Sequence, residues 1–411
     1  MRILTVTNLY PNPFQPQRAT FNREQVKALA REHDVSVISP IAWTDELAAR
    51  RRGAAALPRN RMMEWDGVPV KYPRSLFTPR ILRRLYGHFY YLSVRKTLLR
   101  EIESFRPDVL YVSWAYPDGW AAVKIGRRAK LPVVLAVLGS DIRLLAPGSG
   151  RMKGTVHALR RADRVVAVSR DLANKVVELG AESSRVHLVY TGVDKDRFCP
   201  GDRRAARKRL GLHETRTALL FVGNLYPVKG PDILLEACTA LARQGIPFDL
   251  HIVGDGKLRG KLEQQARLGG IEHSVRFHGS IPHDQLPDWF RAADLLVLPS
   301  RSEGVPNVLL EAASCGIPFV ASDVGGVAEV AHLGASRLVP PENPAALAEA
   351  IAAQIAAPRA FTKSGDVARS HAEAARELAS VFQAAINERA PVDGEKSRPD
   401  KMASSLQRSE A

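Results

Sequence analysis

Residues 293–330, ADLLVLPSRSEGVPNVLLEAASCGIPFVASDVGGVAEV, constrain the fold more than any other part of this sequence. They read as strand, turn, helix, strand, glycine turn and new helix. The apolar run Leu295–Leu298 is short enough for a strand buried on both faces, and Pro299 and Ser300 stop it. Polar residues and Gly304 make the turn, and Pro306 suits the first turn of the helix that continues from Asn307 to Ser314. A helix that begins at the carboxyl end of a parallel strand points its first amides into the crevice, where phosphate is the expected guest. Two carboxylates stand at this junction, Glu303 in the turn and Glu311 eight positions later. From those places they can address different parts of one elongated ligand; solvated helix-start charges are the plain alternative.

A second turn has related chemistry. A strand at residues 218–222 leads into GNLYPVKG and then a helix from Pro231 to Arg243. Small residues let the backbone approach a ligand, and Lys229 supplies a mobile positive charge for a diphosphate. The turn GDGKLR, beginning at Gly254, is consistent with a Rossmann turn at a strand's carboxyl end.

Residues 300–318 resemble, nearly residue for residue, the signature of retaining glycosyltransferases of family 4, S-x-x-E-G-x-P-x-x-L-x-E-A-x-x-x-G-x-P. The resemblance implies that Glu311 holds the ribose hydroxyls of a donor nucleotide and that Glu303 lies against the transferred sugar. GNLYPVKG sits at the place of the family's G-R-L-x-x-x-K-G, which assigns Lys229 to the diphosphate; Asn224 stands where arginine is common. The implied donor site comprises Gly223, Asn224, Lys229, Gly254, Glu303, Gly304, Asn307, Val308 and Glu311. Glu303, Lys229 and Asp141 are the candidate catalytic residues, with no cofactor and no metal. In the first half the resemblance runs through YPDG, GSDI, AVSRDL and GVDKDRF. There Asp141 either faces the acceptor or caps the next segment, and Arg18 and Thr20 belong to the acceptor side. Thr20 can also cap the helix that follows it. The sequence departs from the family at Ala19, close to a usual glycine, and two histidines often seen are replaced in the stretches around Ser113–Trp114 and Leu138.

The chain has 411 residues, enough for two domains. Lys plus Arg number 59 against 43 for Asp plus Glu, a net charge of +16, which points to an anionic partner. The three cysteines are far apart and suggest neither a disulfide framework nor a zinc cluster. Met1 and Arg2 lead directly into a strand, and no apolar run reaches the roughly 18 residues that span a bilayer. A cytoplasmic location is therefore expected, with peripheral attachment to the membrane as an option. Residues 71–100 carry Lys71, Arg74, Arg80, Arg83, Arg84, Arg95, Lys96 and Arg100 with no acid between them. Leu82, Leu85, Phe89 and Leu92 fall on one helical stripe there. Such a segment can lie on an anionic membrane surface, or pack on its domain with its arginines solvated.

Strands alternate with helices in both halves. The expected fold is therefore α/β: two Rossmann-like, doubly wound parallel-sheet domains facing a cleft, the GT-B fold of the resembling family. Residues 1–199 form the acceptor-binding domain and 200–366 the nucleotide-sugar domain. A helix at 367–390 crosses back onto the first domain, and the polar residues 391–411 form a disordered tail. The charged stretch 200–216 is expected to be a hinge. The reading is transfer of a hexose-type residue from a UDP- or GDP-sugar to a lipid-linked or polysaccharide acceptor. A nucleotide-sugar epimerase and a non-catalytic binder of sugar nucleotides or nucleic acid are the alternatives. No recognisable nucleic-acid module accompanies the charge, so no nucleic acid is expected.

Overall fold

Short apolar runs bounded by turn residues become strands, and the strands segregate into two sheets. The computed structural model describes residues 1–78, 82, 85–332, 336–357 and 368–389. The first sheet has the strand order Val186–Leu188, Arg164–Ala167, Val133–Val137, Val109–Ser113, Arg2–Val6, Asp34–Ile38, Val68–Lys71, Met62–Trp65. Its last pair, a hairpin, is antiparallel, and the others run parallel. The second sheet is wholly parallel, in the order Val275–Gly279, Asp249–Val253, Ala218–Val222, Leu295–Leu298, Phe319–Ser322, Ser336–Val339. Val109–Ser113, Val133–Val137 and Leu295–Leu298 are buried at every position, because helices cover both faces of their sheets.

Strand order positions the sites. In the second sheet it reverses between Ala218–Val222 and Leu295–Leu298, so the loops after these two strands open side by side at a switch point. In the first sheet the reversal lies between Arg2–Val6 and Val109–Ser113, which brings the loop from Thr7 to Ala19 beside the turn at Ala115–Gly119.

The last helix, His371–Arg389, returns to the first domain. Ala375, Leu378, Val381 and Phe382, spaced along one face, join the core under the first sheet, with the Phe382 ring 5.2 Å from that of Tyr111. Arg389 pairs with Asp163 at 2.8 Å at its end. The boundary expected at 366/367 and the tail from 391 lie outside the described residues.

The charged stretch 200–216 is not a free hinge. It contains the helix Arg203–Leu210, docked on the second domain by Arg207, whose side chain is 1 % exposed. That guanidinium donates to the carbonyls of Ala292, His213, Glu214 and Arg216 and pairs with Asp294 at 2.5 Å. Fully satisfied donors repay its desolvation. The chain crosses between domains earlier, near Val193. The Val193 amide donates to Arg369 O at 2.8 Å and the His371 amide to Val193 O at 3.2 Å, so the two crossings are zipped together. Phe198 already belongs to the second core.

Residues 41–75 hold elements that the sequence pattern did not resolve: the helix Trp43–Arg51, the hairpin, and the short pair Ile41–Ala42 with Arg74–Ser75. Lys71 and Arg74, counted among the basic run, are engaged internally. Lys71 pairs with the buried Glu101, and Arg74 with Glu46, which Arg61 also holds. Arg80, Arg83 and Arg84 lie outside the described residues.

His251 in the second sheet is 4 % exposed, and its Nδ1 lies 3.1 Å from Nε2 of His278. Burial, with His278 and two arginines nearby, pushes its pKa down to about 4, and burial pushes His371 to about 4 as well. Both are therefore folded as neutral bases, and below the ordinary histidine value of 6.5 the unfolded chain binds more protons than the folded one. The histidine contribution to stability is expected to be complete above that pH and to fall as pH drops towards 4, each histidine adding a slope of about 1.4 kcal/mol for every pH step of one, while buried Asp118, lifted to about 7, contributes in the opposite sense. Urea midpoints measured from about pH 7.5 to about pH 4.5 check this, and His251→Phe should shallow the slope.

Candidate active site

The site is built from backbones that touch. Gly230 has φ +64, and a Cβ there would lie 2.0 Å from Pro299 O, so the lysine turn can sit against the Glu303 loop only with glycine at this position. A Cβ on Gly254 would lie 1.9 Å from Gly223 O, which stacks the GDGKLR and GNLYPVKG turns in the same way. Arg301 staples the assembly: its guanidinium donates to Pro227 O at 2.6 Å and pairs with Asp232, while its amide donates to Val228 O at 2.8 Å.

These contacts bring Lys229 and Glu303 together, with Nζ 2.6 Å from Oε1. Ser300 Oγ donates to the same oxygen at 2.6 Å. Glu303 is 8 % exposed, so its charge is held by specific partners rather than water. The helix Asn307–Ser314 starts beside this pair, with Pro306 as its extended N-cap instead of its first residue. Half-buried Asn307 and Val308 present the first turn to the cleft. One turn on, Glu311 Oε1 lies 2.8 Å from Nε2 of His283. Burial opposes charge on that ring, but the hydrogen bond and charge of Glu311 outweigh it, and the pKa of His283 is raised. Gly254 is stacked on Gly223, Gly304 lies against Leu138 of the first domain, and Asn224 is exposed.

Across the cleft the acceptor-side expectations fare differently. Asp141 is 1 % exposed, and its carboxylate accepts the amides of Ala115, Leu138 and Gly139 at 3.2, 3.1 and 2.9 Å. The carboxylate thus braces the ends of two strands, and it does not cap the short helix Ser140–Arg143 in which it lies. Arg18 Nε donates to Asn8 O at 3.0 Å and Nη1 to Gln15 at 2.6 Å, so it shapes the loop before the first helix. Thr20 does not cap that helix; it is its first residue, and Ala19 is the N-cap at φ 47, ψ 52. The left-handed geometry for which glycine is suited is retained with alanine, at a cost of about 1 kcal/mol.

Several residues escaped the sequence reading. Asp118 is fully buried, accepts from Tyr90 and from Asn8 Nδ2, and burial lifts its pKa to about 7. Arg143, two residues after GSD, pairs with Asp171 and stands in the field of Glu303 and Glu329. His283 and Glu329 carry no motif of their own. The only signals were HDQ in a loop near the donor site and an acid shortly after two glycines.

Residues 19–197 match Glycosyltransferase Family 4 and residues 216–356 match Glycosyl transferases group 1. The putative teichuronic acid biosynthesis glycosyltransferase TuaC of Bacillus subtilis is 31% identical over 85% of this chain and 88% of its own. The chain belongs to the family 4 (group 1) glycosyltransferases. D-inositol 3-phosphate glycosyltransferase 1 of Catenulispora acidiphila is 35% identical over 66% of this chain and 70% of its own. The fold is that of GT-B enzymes: Anabaena HepE in complex with UDP and glucose aligns with TM-score 0.71 at 19% identity, over 93% of this chain and 99% of that one. This glycosyltransferase therefore carries the family's E-x7-E pair with each glutamate in a different local setting, one on a lysine and a serine, one on a histidine.

Lys229→Ala removes the cation between the two loops and leaves Glu303 a single hydroxyl. It should lower kcat/KM by about 100-fold or more, the loss typical of one charge-stabilising donor. Steady-state kinetics at varied donor concentration test this; a variant within five-fold of wild type would refute the assignment.

Proposed function

We propose that this enzyme transfers a hexose-type residue from a UDP- or GDP-sugar to a lipid-linked or polysaccharide acceptor, with retention and without a metal. The observation that carries the reading is the Lys229–Glu303–Ser300 cluster, 2.6 Å apart at each contact, beside the first turn of Asn307–Ser314. The second sheet's switch point gives the nucleoside diphosphate a crevice with Glu311 for the ribose and Lys229 with the helix amides for the diphosphate. The likeness to TuaC, named for teichuronic acid biosynthesis, supports a polysaccharide acceptor, and that to HepE in complex with UDP and glucose supports a uridine donor.

In the reaction the bond from the anomeric carbon to the diphosphate oxygen breaks, and one to the acceptor oxygen forms. The acceptor proton passes to the departing diphosphate. Negative charge growing on that oxygen is met by Lys229 and by the amides of Asn307 and Val308. A double displacement would need a carboxylate free to attack the anomeric carbon. Attack on the leaving-group side is the course proposed, one in which Glu303, held by Lys229 and Ser300, and Asp141, held by three amides, need not act as nucleophiles. Screening UDP- and GDP-sugars for binding, then following product anomers by NMR with membrane lipid extract, tests the proposal. An inverted product, or turnover only with added divalent cation, would overturn those parts of it.

The acceptor supports a membrane-surface setting. The helix Tyr86–Phe105 buries Gly87, Tyr90, Val94 and Leu98. Leu85, Leu92 and Leu99 on its other side are exposed, as are Leu76 and Leu82 nearby. Exposed Arg95, Lys96 and Arg100 share that helix. Of the stripe singled out in the sequence, Leu82, Leu85 and Leu92 face solvent while Phe89 is half-buried, leaving a basic and apolar surface suited to anionic lipid. Among the described residues no helix is long and apolar enough to cross a membrane. Leu85→Ser with Leu92→Ser should reduce flotation with phosphatidylglycerol vesicles at least five-fold; unchanged flotation would reject this surface.

A further inference from the structure

One carboxylate joins the two domains at the edge of the cleft. Glu329 lies on the short helix Val327–Val330 of the second domain. Its Oε2 accepts the amide of Arg170 at 2.8 Å and its Oε1 that of Asp171 at 3.0 Å. Oε2 also accepts the hydroxyl of Tyr190 at 2.8 Å. Arg170 and Asp171 open the helix Arg170–Glu178 of the first domain, and Ser169 Oγ takes its next amide, Leu172, at 3.1 Å. The leading amides of this helix therefore find their acceptors in a serine of their own domain and a glutamate of the other, where the helix dipole favours negative charge. The AVSRDL stretch, which neither the donor nor the acceptor chemistry uses, is the receiver for that glutamate.

The contact reaches the reacting loop through glycines. The Gly326 amide donates to Gly304 O at 2.9 Å. A Cβ on Gly325 would lie 2.0 Å from Glu303 O, and one on Gly326 would lie 2.4 Å from Gly304 O and 2.8 Å from Ser169 Cβ. From the other domain, Leu138 O would lie 2.4 Å from a Cβ on Gly304. Glu303 and Gly304 are thus held between Leu138–Gly139 on one side and the two glycines leading to Glu329 on the other. Arg143, paired with Asp171, borders Gly325 as well.

We propose that Glu329 is a positioning residue for glycosyl transfer. Seated on the first turn of Arg170–Glu178, it holds the first domain against the loop that carries Glu303, so that acceptor and sugar meet in register. The proposal rests on the reading of this cleft as the place of transfer. It predicts a split between binding and turnover, since the amide partners of Glu329 lie on the first domain and none of its partners is on the lysine turn or the Glu311 helix.

The experiment compares the full-length enzyme with Glu329→Gln and Tyr190→Phe. Glutamine keeps the size but places an NH2 against an amide donor; phenylalanine removes one bond and leaves the carboxylate. Amide exchange by mass spectrometry is read across residues 169–173, with donor affinity and kcat at saturating donor. In Glu329→Gln, exchange should rise at least ten-fold and kcat fall at least ten-fold, with donor affinity within two-fold. Tyr190→Phe should move exchange and kcat the same way by two- to five-fold, and it carries the test if the glutamine variant does not fold. Unchanged exchange, unchanged kcat, or a loss of donor affinity matching the loss of kcat would each overturn the proposal. Exchange is measured without donor. If wild type bound no sugar nucleotide, the functional reading would fail while the contact itself was still tested.

Discussion

Backbone approaches too close for a side chain hold this enzyme's cleft together. Gly230 lies against Pro299, Gly254 against Gly223, Gly304 against Leu138, and Gly325 against Glu303. Each places one loop on the next, so the lysine turn, the glutamate turn and the facing domain share one contact chain. The Lys229–Glu303 pair follows from the first of these approaches. Its 2.6 Å separation exists because two strands adjacent at the sheet's switch point send out loops that glycine permits to touch. A bulkier residue at Gly230 would separate the charges before it altered any charge.

Electrostatics divide along the same line. Charges facing the cleft are held by short, mutually satisfied contacts: Glu303 by Lys229 and Ser300, Glu311 by His283, Glu329 by two amides and a phenol. Much of the positive charge elsewhere is structural. Arg207 organises a docked helix, Arg301 the lysine turn, and Lys71 and Arg74 neutralise buried glutamates. Net charge therefore overstates the surface available to an anionic partner. The cations exposed on the helix Tyr86–Phe105 are the part that a membrane surface could meet.

Departures from the family pattern have separate physical outcomes. Ala19, close to a usual family glycine, itself adopts a left-handed backbone of the kind glycine favours. Asn224 stays exposed at the rim and brings no charge, leaving the cation role at this turn to Lys229. Asp141 illustrates the limit of reading a motif by chain position. A carboxylate just after a strand can face the crevice or cap the next segment, and here it accepts three backbone amides at the strand ends instead of capping. Trp114, in the stretch where a family histidine is replaced, has φ 122, ψ 121 just before the turn at Ala115–Gly119.

The sequence alone determined the alternation of strands and helices, the two largely parallel sheets, the returning helix and the turns that bring Lys229 and Glu303 to one switch point. These depend on local pattern: apolar runs of strand length, glycine and proline at turns, and a motif whose residues lie within one βα unit. What only the tertiary structure decided are contacts between residues far apart in the chain. The chain crosses between domains near Val193 and not in the charged stretch, because Arg207 ties the helix there to Ala292 and Asp294 of the second domain. The exposed leucine stripe could not be told from a packed one until the opposite face, Tyr90, Val94 and Leu98, was seen in the core. Glu329 had no legible role, since its partners are amides 158 and 159 positions away, and a backbone amide leaves no mark in the sequence.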